Sequence, residues 1–427
     1  MTSLWRQTRS FPAPARLLMA NQFAINLAFY MLMPYLAAHL AGELGLAAWA
    51  VGLVLGVRNL SQQGMFLIGG TIADRYGYKA PIIAGCLLRT GGFALLGWVG
   101  TLPALIVASA ATGFAGALFN PAVRAYLAAE AGERRVDAFA VFNVYYQAGM
   151  LLGPLVGLAL LAADFSAVCT AAAAIFALLT ALQSRALPAR RAPADGPAPD
   201  GATGTTGVRA QWRTVAANRP FLLFSLAMTG SYVLGYQVYL ALPLAAGEAL
   251  GGAADGLTGG LFVVSALVAV AGQLRLTRWA KRRWTPQQAL VRGLSAMGAA
   301  FVPLAAAAAA TPGTRRVALA GALLLAVALL AAGGAVVYPF EMDTVVVLSG
   351  DRLVATHYGF HNTVTGLGIT LGNLAVGALW DAARAHHLLW PAWLGLAATG
   401  AACAASVGAL ARGGLLGTAP VRAPAPA

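Results

Sequence analysis

Long apolar runs recur along nearly the whole chain, each broken by a short cluster of polar, charged, Gly or Pro residues. A helix needs about 20 mainly apolar residues to cross the hydrocarbon core of a bilayer. Twelve stretches meet that length, at 17–39, 48–72, 80–100, 102–128, 138–161, 165–184, 219–245, 257–278, 287–309, 316–339, 355–378 and 388–411. Backbone polar groups cannot go unpaired in lipid, so these stretches must be helices; barrel strands would alternate and be half as long. Arg6, Arg9 and Arg16 ahead of an apolar run resemble a secretory leader. That run is too long for one and holds Asn21, Gln22 and Asn26, so it is read as the first span.

Residues 186–216 carry Pro, Ala, Gly and Asp without apolar periodicity, and read as a solvated cytoplasmic linker. The linker divides an N-terminal six-helix bundle, 1–185, from a C-terminal one, 217–427. The halves echo each other. Phe119-Asn120-Pro121 ending the fourth span matches Val337-Tyr338-Pro339 ending the tenth, and Asn143, Gly149 and Gly153 fall on Asn362, Gly368 and Gly372. A six-plus-six repeat puts the substrate path between the halves, near the bilayer midplane. The fold class expected is an all-α polytopic membrane protein of twelve helices in two pseudo-symmetric bundles.

Composition agrees with that picture and excludes others. The 427 residues are 59% hydrophobic and 10% charged, far below the charge a water-facing surface needs. A net charge of +14 invites a nucleic-acid reading, but Lys/Arg stripes on polar segments are missing. Topology accounts for it instead. With the N-terminus inside, 21 of the 28 basic residues fall on inner segments and three, Arg315, Arg316 and Arg384, on outer loops. The positive-inside rule therefore predicts that both termini are cytoplasmic. Cys86, Cys169 and Cys403 stand singly in apolar runs, which leaves no disulfide framework or metal spacing. No catalytic triad or phosphate-cradling Gly-rich loop is present, so no enzyme activity, cofactor, metal or ATP drive is expected.

Two motifs carry a resemblance. Gly70-x3-Asp74-Arg75-x-Gly77-x-Lys79, in the connection between the second and third spans, is similar to the loop signature of the major facilitator superfamily. Six residues there must turn the chain tightly, and an Asp beside cations can lock one conformation by pairing with a helix end or an Arg. Gly149-x3-Gly153-Pro154-x2-Gly157 in the fifth span is similar to a motif of that superfamily's drug and proton antiporters; small residues let two helices approach and Pro bends one. The stretch Gly56-Val57-Arg58-Asn59-x2-Gln62-Gln63-Gly64, Leu88-Arg89-x-Gly91-Gly92-Phe93 and Leu118-Phe119-Asn120-Pro121-x2-Arg124 resembles the MdtH-type multidrug-resistance branch. The resemblance implies alternating access and proton-coupled export of amphipathic small molecules across the bacterial inner membrane, by a monomer embedded in the lipid bilayer. Alternatives are export of an endogenous metabolite such as a siderophore or organic anion, and a receptor or lipid-flipping protein on the same scaffold.

The chain departs from that pattern in its acids. Asn21 and Asn120 stand where carboxylates are expected, and all fourteen Asp and Glu fall in loops or within about a turn of a span end. Proton coupling is thus implied by the resemblance and not by the residues. His357 and His361, one turn apart, could carry the proton instead, or be interfacial histidines. Glu341 and Asp343, after the tenth span, read either as a gate network with Arg352 or as a proton entry site.

Arg58 and Arg89 lie inside spans, where a charge is costly and faces the interior by default. Arg58, with Gln62 one turn on, either meets an anionic or carbonyl-bearing substrate or anchors to a neighbouring helix. The same choice applies to Arg89, whose span is peripheral in this fold, which favours the anchor. Arg124 is expected to pair with Asp74 in the gate. Spans 1, 4, 7 and 10 line the cavity in this fold. Gln22, Asn26, Tyr30 and Asn120, with Tyr232 and Tyr236, are therefore the substrate-binding candidates, helix packing being the alternative for each.

Overall fold

The computed structural model describes residues 2–190, 207–250, 254–308, 312–386 and 388–417; linker residues 191–206 and His387 lie outside them. The N-terminal half comprises α1 (Thr2–Arg9), α2 (Ala13–Gly42), α3 (Ala48–Tyr76), α4 (Lys79–Trp98), α5 (Leu102–Ala131), α6 (Arg135–Leu161) and α7 (Phe165–Ala186). The second half comprises α8 (Val208–Ala217), α9 (Arg219–Tyr236), α10 (Ala241–Leu250), α11 (Ala254–Leu267), α12 (Gln273–Arg283), α13 (Pro286–Ala299), α14 (Val302–Ala308), α15 (Pro312–Ser349), α16 (Val354–Ala385) and α17 (Trp390–Arg412). No strand is present among the described residues. Among the described residues the twelve apolar stretches are mainly helical, and the second is missing from those apolar enough to span, because Arg58, Asn59, Gln62 and Gln63 interrupt it.

Polar caps start several helices at their water-facing ends. Asp164 accepts from the Ala167 amide at 2.6 Å ahead of α7, Asn218 accepts from Phe221 ahead of α9, and Thr285 with Gln288 forms a capping box ahead of α13. These side chains satisfy amides that have no intrahelical acceptor.

The structure corrects four local expectations. The loop signature is mostly helix, since α3 continues through Tyr76 and only Gly77 and Tyr78 separate it from α4. Gly77 has φ +87°, a left-handed conformation that side-chain-bearing residues avoid, so the turn is compressed into one glycine. The seventh span is broken after Tyr236, with α10 starting at Ala241. The eighth span is interrupted by a π-helical turn, Val268–Gly272. The tenth helix does not stop at Pro339. It runs on to Ser349, so Glu341 and Asp343 lie within a helix and not beyond one.

The chain forms two compact units. One gathers Met1–Val215 with Ala266–Arg275 and Arg352–Leu367; the other holds Ala216–Ser265, Leu276–Asp351 and Gly368–Ala427. In the first, α3 packs on α5, α2 on α6, and α4 on both α5 and α7. In the second, α13 packs on α15 and α17, and α17 on α9. The repeat seen in the sequence reappears as packing. A Cβ on Gly149 would lie 2.5 Å from the Phe23 carbonyl oxygen of α2, and one on Gly372 would lie 2.5 Å from Val233 of α9. The fifth span therefore leans on the first through glycines, and the eleventh leans on the seventh in the same way.

Candidate functional site

The loop-signature end of α3 lies against the N-terminal end of α16, inside the first unit. Gln63, Phe66, Gly70 and Asp74 recur at intervals of three and four, so they form one stripe along α3. A Cβ on Gly70 would fall on the Ala355 carbonyl oxygen, and one on Gly359 would fall on that of Phe66. Thr363 Oγ1 donates to the Gln63 carbonyl at 3.2 Å. Beyond this crossing, Asp74 takes hold of the exposed amides of α16. Its Oδ1 accepts from Ala355 N at 3.2 Å, and its Oδ2 accepts from Thr356 N and Thr356 Oγ1, both at 2.7 Å. A carboxylate on a helix N-terminus meets both unsatisfied donors and the positive end of the helix dipole.

The expected Asp74–Arg124 pair is not formed, because backbone amides and a hydroxyl have taken the carboxylate. Arg124 Nη1 instead donates to Asn362 Oδ1 at 2.8 Å, one further tie to α16. Arg75 is exposed and stacks on Tyr76, Lys79 Nζ donates to the Ser184 carbonyl at 2.8 Å, and Trp212 Nε1 of α8 donates to Thr71 at 2.8 Å. On the neighbouring helix, Asn143 Nδ2 donates to Gln273 Oε1 at 2.7 Å, just past the π-helical turn.

Asp74 lies past the apolar stretch, in the interfacial part of α3. Burial pushes its carboxyl up to about 6, although the bonds from Thr356 and Ala355 pull it down. If the crossing opens and exposes Asp74 to water, its carboxyl returns toward the ordinary carboxylate range, so re-forming the crossing takes up a proton. Lowering the pH from above 6 toward 4 is therefore expected to favour the latched crossing, by up to tenfold per pH unit, with the preference fading as pH rises through 6. Spin-label distances between the loop-signature end of α3 and the start of α16 will report this, and Asp74→Asn should abolish the dependence.

The residue 18–373 portion matches the family model described as Major Facilitator Superfamily. The chain belongs to the major facilitator superfamily. It is 56% identical over 395 residues to an MFS-type transporter of Mycobacterium tuberculosis, covering 92% of each chain. It is 30% identical over 376 residues to "Multidrug resistance protein MdtH" of Edwardsiella ictaluri, covering 87% of each, and 29% identical over 390 residues to that of Klebsiella pneumoniae, covering 90% of each. Among solved structures it resembles FucP in its outward conformation, with TM-score 0.72 and 17% identity over 92% of this chain and 97% of that one. A POT-family peptide transporter follows at TM-score 0.64 and 18% identity, over 97% and 99%. The chain is thus a multi-pass MFS transporter of the all-helical MFS fold.

This MFS transporter distributes the other candidate residues unevenly. Gly149, Gly153 and Gly157 of α6 abut Asn26, Tyr30 and Met31 of α2 so closely that a Cβ on Gly153 would lie 2.7 Å from Tyr30 Cβ, while Tyr35 donates to the Pro154 carbonyl at 2.7 Å. Gln22 and Asn26 are buried, and Asn26 donates back to the Gln22 carbonyl at 2.7 Å. Tyr30 is half-buried with its hydroxyl 3.3 Å from that of Tyr146, and Asn120 is half-buried on α5. In the second unit Tyr232 is half-buried, whereas Tyr236 is exposed and packs at a tilt on Tyr239, which meets Phe262. His357 and His361 are buried in α16, and His357 Nδ1 is 2.8 Å from the Leu353 carbonyl. Glu341 is only 3% exposed and Asp343 half-buried, both on α15.

Sequence reasoning missed α1 and α8. Both are short helices that mix Trp and Arg, and no apolar-length criterion detects such a segment.

Proposed function

We propose that this transporter exports amphipathic small molecules from the cytoplasm across the bacterial inner membrane by alternating access. Both termini and the linker would face the cytoplasm, as the 21-to-3 basic bias supports. The observation that carries the reading is the α3–α16 crossing. Its close glycine contacts and Asp74 cap make a latch that can be opened as a unit, at the end where the basic residues cluster. Two relatives bearing the name multidrug resistance protein support the substrate class.

Coupling to protons is part of the proposal. Its carriers would be Glu341, placed in a buried stretch of α15, with Asp343 nearby and His357 and His361 on α16. A working monomer needs no further subunit in this scheme.

The purified transporter in proteoliposomes is expected to accumulate ethidium in exchange for protons flowing down an imposed pH gradient, and a protonophore should abolish the accumulation. Uptake that ignores the protonophore would overturn the proton coupling; no ethidium transport under any gradient would overturn the drug-export reading. Export of an amphipathic organic anion is the second reading, favoured by the pair of arginines in the N-terminal bundle.

A further inference from the structure

Arg89 is the most unusual charge in the first unit. It stands midway along α4, is 3% exposed, and its Nε has no hydrogen-bond partner. No carboxylate among the described residues forms an ion pair with it. Three aromatic rings surround it instead, with its guanidinium carbon 4.8 Å from the centroid of Phe29, 4.7 Å from Phe119 and 5.3 Å from Phe176. The cage draws on α2, α5 and α7, and Gly116 of α5 makes room for it, since a Cβ there would lie 3.1 Å from Arg89 Nη2 and 3.3 Å from Gln62 Oε1. Gln62 thus borders the same spot.

Arg58 stands at the open side of this cluster. It is half-buried, lies 5.2 Å from the same Phe29 ring, and its Nη1 reaches Gln62 Oε1 at 3.5 Å. Tyr30 and Tyr146, hydroxyls 3.3 Å apart, are also half-buried. Cation–π contacts recover only part of what burying an unpaired charge costs. Two cations sharing one ring add repulsion. A fold that only needed an anchor here would be more stable with an apolar side chain of the same shape. An anion arriving between the two guanidinium groups would remove both penalties.

We propose that Arg89, Arg58 and Gln62 bind the carboxylate of an amphipathic aromatic anion, whose ring system packs against Phe29 and Tyr30. The proposal deepens the export reading, naming the substrate group recognised in the N-terminal bundle. Guanidinium suits a carboxylate because its planar fork can donate two parallel hydrogen bonds.

The test uses the full chain in neutral detergent, with 2-naphthoate, its neutral analogue 2-naphthamide, and short-chain phosphatidylglycerol as probes. Cys86, Cys169 and Cys403 are all buried free thiols, so a maleimide fluorophore reports unfolding. Naphthoate is expected to raise the melting temperature while the amide does not. Arg58→Gln and Arg89→Met should each weaken naphthoate binding at least tenfold, and Arg89→Met should raise the ligand-free melting temperature. The proposal is overturned if amide and naphthoate act alike, if phosphatidylglycerol alone stabilises, or if Arg89→Met lowers stability and keeps the naphthoate shift. Should Arg89→Met fail to fold, Arg58→Gln decides, since that side chain is not enclosed by the aromatic cage. Ethidium transport in the same preparation separates the two claims. Ethidium moved without naphthoate selectivity sinks the anion site alone, and naphthoate selectivity without ethidium transport sinks the drug-export reading alone.

Discussion

Asp74→Asn is expected to reduce transport at least tenfold while leaving the amount of protein in the membrane unchanged. The carboxylate accepts three hydrogen bonds from the first turn of α16, whose amides have no intrahelical acceptor. An amide keeps one acceptor oxygen and points an NH2 at donors that need acceptors. A buried donor left without an acceptor costs about 1–3 kcal/mol, so facing Thr356 N and its hydroxyl with an NH2 costs a few kcal/mol. That is small against the packing of whole helices, which is why the fold should survive. It is large for an equilibrium between latched and open states, where 1.4 kcal/mol is roughly tenfold. Asp74→Glu, which keeps the charge but lengthens the arm, should retain part of the activity. Substrate flux per unit protein in proteoliposomes, normalised to immunodetected transporter, measures both variants. Full flux in Asp74→Asn would show that the cap is not the latch.

The extent to which this site was legible in the sequence follows from the kind of partner each residue has. Membrane helices announce themselves by apolar length, so all twelve stretches were visible, including the second with its Arg58, Asn59, Gln62 and Gln63. Gly149, Gly153 and Pro154 were legible as packing positions because close helix approach requires small residues wherever it occurs. Asp74 could be recognised as a locking group, but its partner could not. Its donors are mainly backbone amides nearly 300 positions away, and a main-chain N–H leaves no mark in sequence. An Arg was the chemically obvious partner, and Arg124 instead found the side-chain oxygen of Asn362.

Helix interruptions were hidden for a different reason. The break after Tyr236 contains no proline, and Gln237 there is held by its own helix and by Asn373, a tertiary contact. Conversely, Pro339 looked like an ending and is accommodated inside a 38-residue helix, so Glu341 lies on that helix and not past its end. Arg89 could be flagged as costly from its position alone. Whether its cost is met by carboxylates, carbonyls or rings depends on three helices separated in sequence, and only the structure assembles Phe29, Phe119 and Phe176 around it.

Gly69→Ala and Gly70→Ala are expected to fail in opposite ways, although the two residues are adjacent and each loses its function to a single methyl group. A Cβ on Gly69 would fall on the Ala117 carbonyl oxygen of α5, a contact within the N-terminal helix bundle. A Cβ on Gly70 would fall on the Ala355 carbonyl oxygen of α16, within 2.9 Å of Thr356 Cα, which belongs to the latch. Both obstacles are backbone and cannot rotate away, so the helices must separate. Overpacking of this kind costs about 1–3 kcal/mol or more. At Gly69 the cost is carried in every conformation, because α3 and α5 belong to the same bundle throughout. The expected result is a lower melting temperature and less protein in the membrane, with residual flux per molecule largely kept. At Gly70 the cost is carried only when α16 is seated. The open state is untouched, so the protein should accumulate and melt normally while transport falls more than tenfold. Spin labels on α3 and α16 should then report a wider separation in Gly70→Ala and an unchanged one in Gly69→Ala. A Gly70→Ala protein that is fully active, or that is simply unstable like Gly69→Ala, would show that the α3–α16 crossing is a fixed part of the scaffold and not the moving gate.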